Sequence, residues 1–475
     1  MQKTNNIQHK AVRGGKALVL RHVFGFIVNF LGGVILARYF GPEIIGTYYI
    51  SFTIFMFGRA LVDFGVLTHF IRLHEEPDTA AIKAAFGLQQ IIGLCYVFIC
   101  AVIVVPLAAK YYAVQGISWL IMSAAVASYF YSWQSVPLSL FERKVDYKKV
   151  GIVEVSEIIS FNIAAVTIGL LKDDGKIGFC AGNILRGLVP AVIALYLGGV
   201  WPSLSFNYKR IKSLVKKTYP LFGININIYM VMIAPPVILG TLGGLKSYGM
   251  SMVAYVFLQY TMVIATIFQR VGLTSFARLQ KKKKEFDNFV NMSLNILSVI
   301  YIPILMGLAS FSPFILPLIY GPKWSGMEKI VVVAAIPLYL TALMGIFTSA
   351  LVARGFYQLA MRQSTLNTVI YWVTMFVTVK YLDILTMPVA HLCGILGAGW
   401  ILIYGYNRYC GKYIYKNNLF LSLSGIIVML TGWYLAKNES VYLTAAVWSL
   451  FIIIIIYRQN RSKLPQLKRL LGTRE

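Results

Sequence analysis

The sequence predicts an all-α, polytopic membrane protein of about 14 transmembrane helices: two six-helix lobes related by an internal repeat, plus two C-terminal helices. Three observations carry this. The chain is 58% apolar and holds only 17 Asp and Glu residues, whereas soluble domains are about 45–50% apolar. Apolar stretches long enough to cross a bilayer follow one another along its whole length. Lysine and arginine are abundant in every second connecting segment and scarce in the others.

Taken in order, Met1–Lys16 is a basic leader with Lys3, Lys10, Arg13 and Lys16. No small-residue cleavage motif follows it, so it reads as a cytoplasmic tail and not as a signal peptide. Predicted spans then cover 17–39, 47–70, 84–108, 116–138, 150–171, 177–199, 218–241, 248–271, 289–310, 327–352, 363–379, 387–406, 419–436 and 441–457. The first carries Arg21, His22, Asn29 and Arg38, a composition suited to lining a cavity. Prolines within spans, such as Pro137, Pro190 and Pro303, are tolerated in membrane helices and can kink them.

Charge orients the chain. With the N-terminus cytoplasmic, the cytoplasmic segments hold 32 of the 44 lysines and arginines and the opposite loops hold 7. Arg38, Arg59, Arg186, Arg270 and Lys329 fall within or at the ends of spans. Both termini of this multi-pass chain are therefore expected in the cytoplasm. The net charge of +27 comes in short clusters between apolar segments, not in the single basic stripe of a nucleic-acid binder. Five cysteines without CxxC spacing and five scattered histidines, His69 and His74 included, indicate no disulfide framework, no metal site and no cofactor.

An internal repeat is visible. Gly41-x4-Gly46 returns as Gly244-x4-Gly249, and Asp63-Phe-Gly-Val-Leu-Thr-His-Phe70 returns as Arg270-Val-Gly-Leu-Thr-Ser-Phe276. Pro137–Arg143 parallels Thr348–Arg354, Tyr147 parallels Tyr357, and Phe179-Cys180 parallels Leu392-Cys393. The offsets drift from 203 to 213. Two six-helix lobes follow, 1–211 and 212–418, with 419–475 holding two added helices and a basic tail. An even number of helices gives both lobes the same orientation, and rocking one lobe against the other gives alternating access.

The turn Phe40-Gly-Pro-Glu-Ile-Ile-Gly-Thr-Tyr48, followed by Leu61-Val-Asp-Phe-Gly65 and Phe70-Ile-Arg72, resembles the opening of Wzx-type polysaccharide flippases. Ile319-Tyr-Gly-Pro-Lys-Trp324, Leu351-Val-Ala-Arg-Gly355 and Thr274-Ser-Phe-Ala-Arg-Leu-Gln280 are similar to later elements of that family. These flippases belong to the multidrug/oligosaccharidyl-lipid/polysaccharide (MOP) superfamily. The resemblance covers essentially the whole chain. It implies movement of undecaprenyl-diphosphate-linked oligosaccharide repeat units to the outer leaflet, for O-antigen or exopolysaccharide assembly. It also implies a lipid-linked oligosaccharide as partner, alongside other polysaccharide assembly proteins.

Buried charge supplies the candidate site. A diphosphate head group crossing hydrocarbon needs a wet cavity lined with cations, and the planar arginine fork binds phosphate bidentately. Arg59, Arg186 and Arg270 are the candidates for this substrate contact. Arg59 and Asp63 lie one helical turn apart on one face, as an ion pair would. Charges inside a membrane helix cost about 2.5–3.5 kcal/mol each, so the pair should face protein or water. Glu154 and Glu157, three apart and on a face with Asn162, are candidates for an ion pair or a coupling cation.

Each has a plainer reading. Arg59–Asp63 can be purely structural, Glu154 and Glu157 can be solvated near a span end, and Arg270 can be ordinary cytoplasmic charge beside Lys281–Lys284. That lysine run suits anionic lipid head groups, at about 1 kcal/mol per charge. A drug/cation antiporter of the same superfamily would share the architecture but usually buries coupling carboxylates in its helices. A glycosyltransferase or polymerase would need chemistry on an outer loop, and the longest, about 311–326, contains no Asp, Glu or His. The expectation is a non-enzymatic transporter.

Overall fold

The computed structural model of the chain describes residues 24–73, 75–203, 208–224, 226–413, 415–438 and 440–470, and every regular element among them is helical. The leader, Arg21, His22 and His74 lie outside the described residues. Contacts group the chain into two compact units, Met1–Gly249 and Met250–Glu475.

The first unit begins with α1 (Phe24–Phe40) and α2 (Pro42–Asp63). Gly41 separates them at φ 80°, a backbone region open mainly to glycine. Pro42 then occupies the first helical position, where its missing N–H costs nothing. At the far end of α2, Phe64 (φ 45°) and Gly65 (φ 78°) turn left-handed, and α3 (Val66–Arg72) starts at once. The single span expected over 47–70 is therefore broken. The break lies within a stretch apolar enough on average to read as one span, with Asp63 and Gly65 as its local cues.

Next comes α4 (Thr79–Tyr112), whose N-cap Asp78 accepts from the Ala81 N–H at 2.7 Å. Arg210 donates to both oxygens of Asp78, at 3.0 and 3.3 Å, and this hydrogen bonding holds the carboxyl below its ordinary range. The helix widens to π-type turns at Cys100–Val104, just before Pro106, which has no N–H to offer the ladder. Helices α5 (Ile117–Arg143), α6 (Tyr147–Lys172) and α7 (Gly175–Gly198) follow, and α7 packs along both α5 and α6. Asp146 and Asp174 cap α6 and α7 by accepting from backbone N–H groups. The unit closes with α8 (Tyr208–Ile224), α9 (Ile226–Gly243) and the first turn of α10 (Leu245–Gln259).

The Gly-x4-Gly echo is geometric as well as textual. Gly244 (φ 90°, ψ 157°) repeats the backbone of Gly41 (φ 80°, ψ 179°). The second glycines of the two motifs meet each other. A Cβ on Gly46 would strike the Leu245 carbonyl and the Gly249 N–H, and one on Gly249 would strike the Pro42 carbonyl and the Gly46 N–H. Here α2 and the start of α10 cross backbone to backbone, an approach that only glycine permits.

The second unit continues through α11 (Met262–Leu279), α12 (Lys283–Ser310), α13 (Ser312–Tyr320), α14 (Met327–Ala353), α15 (Tyr357–Leu382), α16 (Thr386–Tyr409), α17 (Tyr415–Lys437) and α18 (Val441–Leu470). Its centre is α14, which packs on α11, α12 and α16 through Ala335, Ala342, Ile346 and other buried residues. The segment expected as a long outer loop, about 311–326, is instead mostly the short helix α13 and one 3-10 turn, Pro322–Trp324.

Nine helices among the described residues are long and apolar enough to cross a membrane, ten if α10 and α11 form one bent span. The expectation of fourteen exceeds this number for physical reasons. α1 and 441–457 are apolar but shorter. α5 is diluted by Ser123, Ser128, Ser132, Gln134 and Ser135, all buried inside the protein. The 53 residues of Tyr357–Tyr409 count once, yet at 1.5 Å per residue they would reach about 80 Å, far beyond a ~30 Å hydrocarbon core. They fold back at Asp383 (φ 46°), so that α15 and α16 pack on each other. Large apolar side chains such as Phe98, Leu171, Ile427 and Ile453 point outward, as they do where lipid is the solvent. The chain is a multi-pass membrane protein.

Candidate functional site

The interior of the first unit collects charge. Arg59, in the last turns of α2, reaches across to α6. Its Nη1 donates to both carboxylate oxygens of Glu157, at 3.0 and 3.2 Å. The arginine side chain is 26% exposed and the glutamate 12%. The guanidinium also lies over the ring of Tyr131 from α5, 4.4 Å from its centroid, within range of a cation–π attraction. Three helices thus hold one cation.

The ion pair expected between Arg59 and Asp63 is corrected by this geometry. Asp63 turns instead onto the break that follows it, accepting from the N–H groups of Gly65 (3.1 Å) and Leu67 (3.3 Å) and from the Ser135 hydroxyl (2.8 Å). The first N–H groups of α3 have no intrahelical acceptor and attract a carboxylate. Glu157, facing Arg59 from another helix, presents both oxygens to it, which an i+4 neighbour does not do here. Gln89 from α4 extends this network by donating to Ser135 Oγ at 3.0 Å.

Glu154 lies one turn before Glu157 on α6, within electrostatic reach of Arg59. Asn162, expected on the same face, donates to Asn29 Oδ1 of α1 at 3.0 Å and to the Ile158 carbonyl at 2.8 Å. Arg186 enters from α7. Its guanidinium carbon sits 4.4 Å from the ring centroids of both Phe55 and Phe161 and 5.4 Å from that of Phe52. Its Nε and Nη1 are buried without a hydrogen-bond partner. Tyr48 on α2 lies within electrostatic reach of both Arg186 and Glu157. The structure therefore brings Arg59, Glu154, Glu157 and Arg186 into one neighbourhood. Arg270 belongs to the second unit, exposed on α11.

Sequence reasoning missed the aromatic half of this site: Tyr131, Phe55 and Phe161. Two arginines spaced along a bundle require counter-surfaces, but thirty tyrosines in the chain leave no single one conspicuous. His391 was also passed over. Thr341 Oγ1 donates to the Pro337 carbonyl at 2.8 Å, so it accepts from His391 Nε2–H at 3.0 Å. That leaves Nδ1 to accept from the Tyr255 hydroxyl at 3.3 Å. A separate cavity of about 520 Å³ in the first unit, lined by Ile54, Phe57, Tyr96 and Val237 among others, has no charged lining and cannot hold a phosphate.

The arrangement offers two membrane-embedded guanidinium groups, one paired and one with open N–H groups, which is chemistry for an oxyanion. Comparison with known proteins identifies the family. The family described as polysaccharide biosynthesis protein matches residues 35–329. The chain is 22% identical over 443 residues to the teichuronic acid biosynthesis protein TuaB of Bacillus subtilis (strain 168), covering 87% of this chain and 89% of the relative. It is 20% identical over 337 residues to the lipopolysaccharide biosynthesis protein WzxC of Escherichia coli (strain K12), covering 68% of this chain and 65% of that one. Among solved structures it is similar to the lipid II flippase MurJ in an inward closed conformation, with a TM-score of 0.72, 16% identity and coverage of 94% and 99%. It is also similar to an inward-facing multidrug resistance MATE transporter of the MOP superfamily, with a TM-score of 0.61, 12% identity and coverage of 80% and 94%. The match contains the Phe40–Arg72, Thr274–Gln280 and Ile319–Trp324 motifs, and this chain belongs to the polysaccharide biosynthesis protein family.

Proposed function

We propose that this protein flips undecaprenyl-diphosphate-linked oligosaccharide repeat units to the outer leaflet of the bacterial inner membrane for surface polysaccharide biosynthesis. The observation that carries the reading is the Arg59–Glu157–Tyr131 cluster with Arg186 beside it: fixed cations inside a bundle of this family. Arg59 and Arg186 take the two phosphates of the substrate. Arg270 contributes from the second repeat. Alternating access of the lobes 1–211 and 212–418, with 419–475 appended, carries the head group across. Anionic lipids bind the Lys281–Lys284 run, and other assembly proteins receive the product. A drug/cation antiporter shares the fold, but the family match favours the glycan substrate over it, and transport in place of catalysis.

The test is replacement of the flippase in a host that builds a matching surface polysaccharide. Restored polymer with this protein, and build-up of lipid-linked repeat units on the cytoplasmic face without it, is the expected result. Loss of drug resistance with unchanged polymer would reverse the choice. The proposed fourteen spans and cytoplasmic termini make a second prediction. Cysteines placed at Ser325 and Asn438 react with an impermeant thiol reagent from outside, and those at Lys148 and Lys282 do not.

A further inference from the structure

We propose that α8 is an interfacial helix whose lysine stripe, Lys209, Lys212 and Lys216, binds the head groups of anionic phospholipids in the surrounding bilayer. The sequence sorts this helix into two faces. Over Tyr208–Ile224 it carries Lys209, Arg210, Lys212, Lys216 and Lys217 and no Asp or Glu. At about 100° per residue, Ile211, Leu214, Val215 and Thr218 fall on one side, and the three lysines, spaced i, i+3 and i+7, fall on the other. The structure keeps that division. Leu214 and Thr218 are buried, and Ile211, Leu214 and Val215 join the apolar cluster of Phe70 from α3 and Phe86 from α4. Lys209, Lys212 and Lys216 are all exposed. The other two cations stand at the edges of this face and have neighbours elsewhere: Arg210 donates to Asp78, and Lys217 lies near His69. Among the described residues, no salt bridge engages any lysine of the stripe.

What meets this face follows from where the helix lies. The membrane-length helix α9 starts at Ile226, just past the end of α8 at Ile224. Its 18 residues, at 1.5 Å each, reach about 27 Å and nearly fill a ~30 Å hydrocarbon core alone. α8 therefore lies at the edge of that core, packed on α3 and α4, with its outward face at head-group level. Tyr208 and Tyr219 flank the stripe and are 72% and 59% exposed, a placement that suits a ring and a hydroxyl at the membrane–water interface. Lys212 Nζ lies 5.8 Å from the Tyr208 ring centroid. A basic face with flanking aromatics at this depth is complementary to phosphodiester head groups. Lysines carry compact charges on flexible stems, which match mobile head groups better than one rigidly held ligand. The surface is separate from the Lys281–Lys284 run of the second unit, and binding there is independent of the diphosphate reading.

The test uses the full-length protein in phosphatidylcholine nanodiscs holding a trace of phosphatidylglycerol with a diazirine at the head-group end of one acyl chain. After photolysis the labelled residues are mapped. Labelling within 208–219 is expected, and added salt should weaken it. Replacing part of the phosphatidylcholine with unlabelled phosphatidylglycerol should compete it away. A photoreactive phosphatidylcholine at the same trace level should label these residues far less. Lys209→Gln, Lys212→Gln and Lys216→Gln, added one after another, should lower labelling by up to about fivefold per lysine. The corresponding Lys→Arg changes should keep it, which separates lost charge from lost folding. Equal labelling by both probes, or none within 208–219 of the unaltered protein, overturns the proposal, and these arms need no variant to fold. So does labelling that survives in the triple Gln variant. Displacement by a farnesyl-diphospho sugar but not by phosphatidylglycerol would give this face to the transport substrate and overturn it as well.

Discussion

The two units differ in how they join their helices through buried polar groups. The first places ionised side chains between its helices: Arg59 on Glu157, Arg186 among phenylalanines, Asp63 on a helix break. The second adds hydroxyl and imidazole links between its helices, beside Arg354, whose guanidinium lies 4.4 Å from the Phe286 ring centroid, and Asp287, which accepts from the Tyr406 hydroxyl. His391 joins Tyr255 to Thr341, and Tyr339 joins Ser298 to Ser422. The Lys282–Glu285 ion pair is on the surface. The repeat makes the contrast sharper. Counting by the offsets of neighbouring matches, Arg59 falls opposite Met262–Thr266, which carries no charge, and Glu157 falls opposite Asn367 or the three residues after it. The two motifs thus share their turn geometry, Gly41 and Gly244 alike, while the positions opposite Arg59 and Glu157 carry no charge. Ionisable groups in a membrane interior are costly and rare, which makes Arg59 and Arg186 the positions to test first.

The largest expected effect tests that asymmetry directly. Arg59→Ala and Arg186→Ala should each lower transport by on the order of 100-fold, the worth of one or two charge-assisted hydrogen bonds. His391→Gln should lower it less than about threefold, all normalised to protein in the membrane. Arg186→Lys, which keeps the charge without the fork, should fall between. Equal losses from Arg186→Ala and His391→Gln would erase the functional distinction between the units.

Next in size is stability. Glu157→Ala leaves Arg59 without its carboxylate, a loss that reaches about 3–5 kcal/mol for fully buried pairs. With Arg59 a quarter exposed, about half of that is expected in unfolding measurements in detergent. The reversed pair, Arg59→Glu with Glu157→Arg, should recover most of the stability but not transport. The swap of Arg59 with Asp63 should recover neither, because Asp63 serves Ser135 and the start of α3. In the second unit Tyr339→Phe removes only neutral partners and should cost about 1 kcal/mol.

The smallest effect separates the shared scaffold from the divergent interiors. Gly46→Ala should destabilise, since its Cβ meets the Leu245 carbonyl, whereas Gly33→Ala, with nothing near it, should gain up to about 1 kcal/mol of helix propensity. Similar thermal midpoints for both variants would show that the close crossing does not constrain the fold.

Much of this was legible in the sequence for a definite reason. Hydropathy and the lysine and arginine bias report on the surrounding lipid, so they revealed helices, and an arginine such as Arg186 in mid-span could only be a buried cation. The repeat was readable wherever backbone geometry demands glycine. Partners were not. Glu157 is 98 residues from Arg59, and which face of α6 meets α2 depends on helix rotation, to which hydropathy is blind. The i+4 spacing of Asp63 was a local cue overridden by the helix break at Phe64 and Gly65, which lies in a stretch apolar enough on average to read as one span. Tyr131 carried no signal, because a tyrosine in a membrane chain is ordinarily an interfacial anchor.

The crossing of Gly46 and Gly249 has a mechanical consequence. Interlocked leucines must change rotamer before two helices can part, which makes their separation an activated event. A crossing made of peptide planes has no teeth. It is held at that point by weak, short-range dispersion, which fades within a fraction of an ångström of displacement and re-forms as readily. The contact behaves as a smooth bearing.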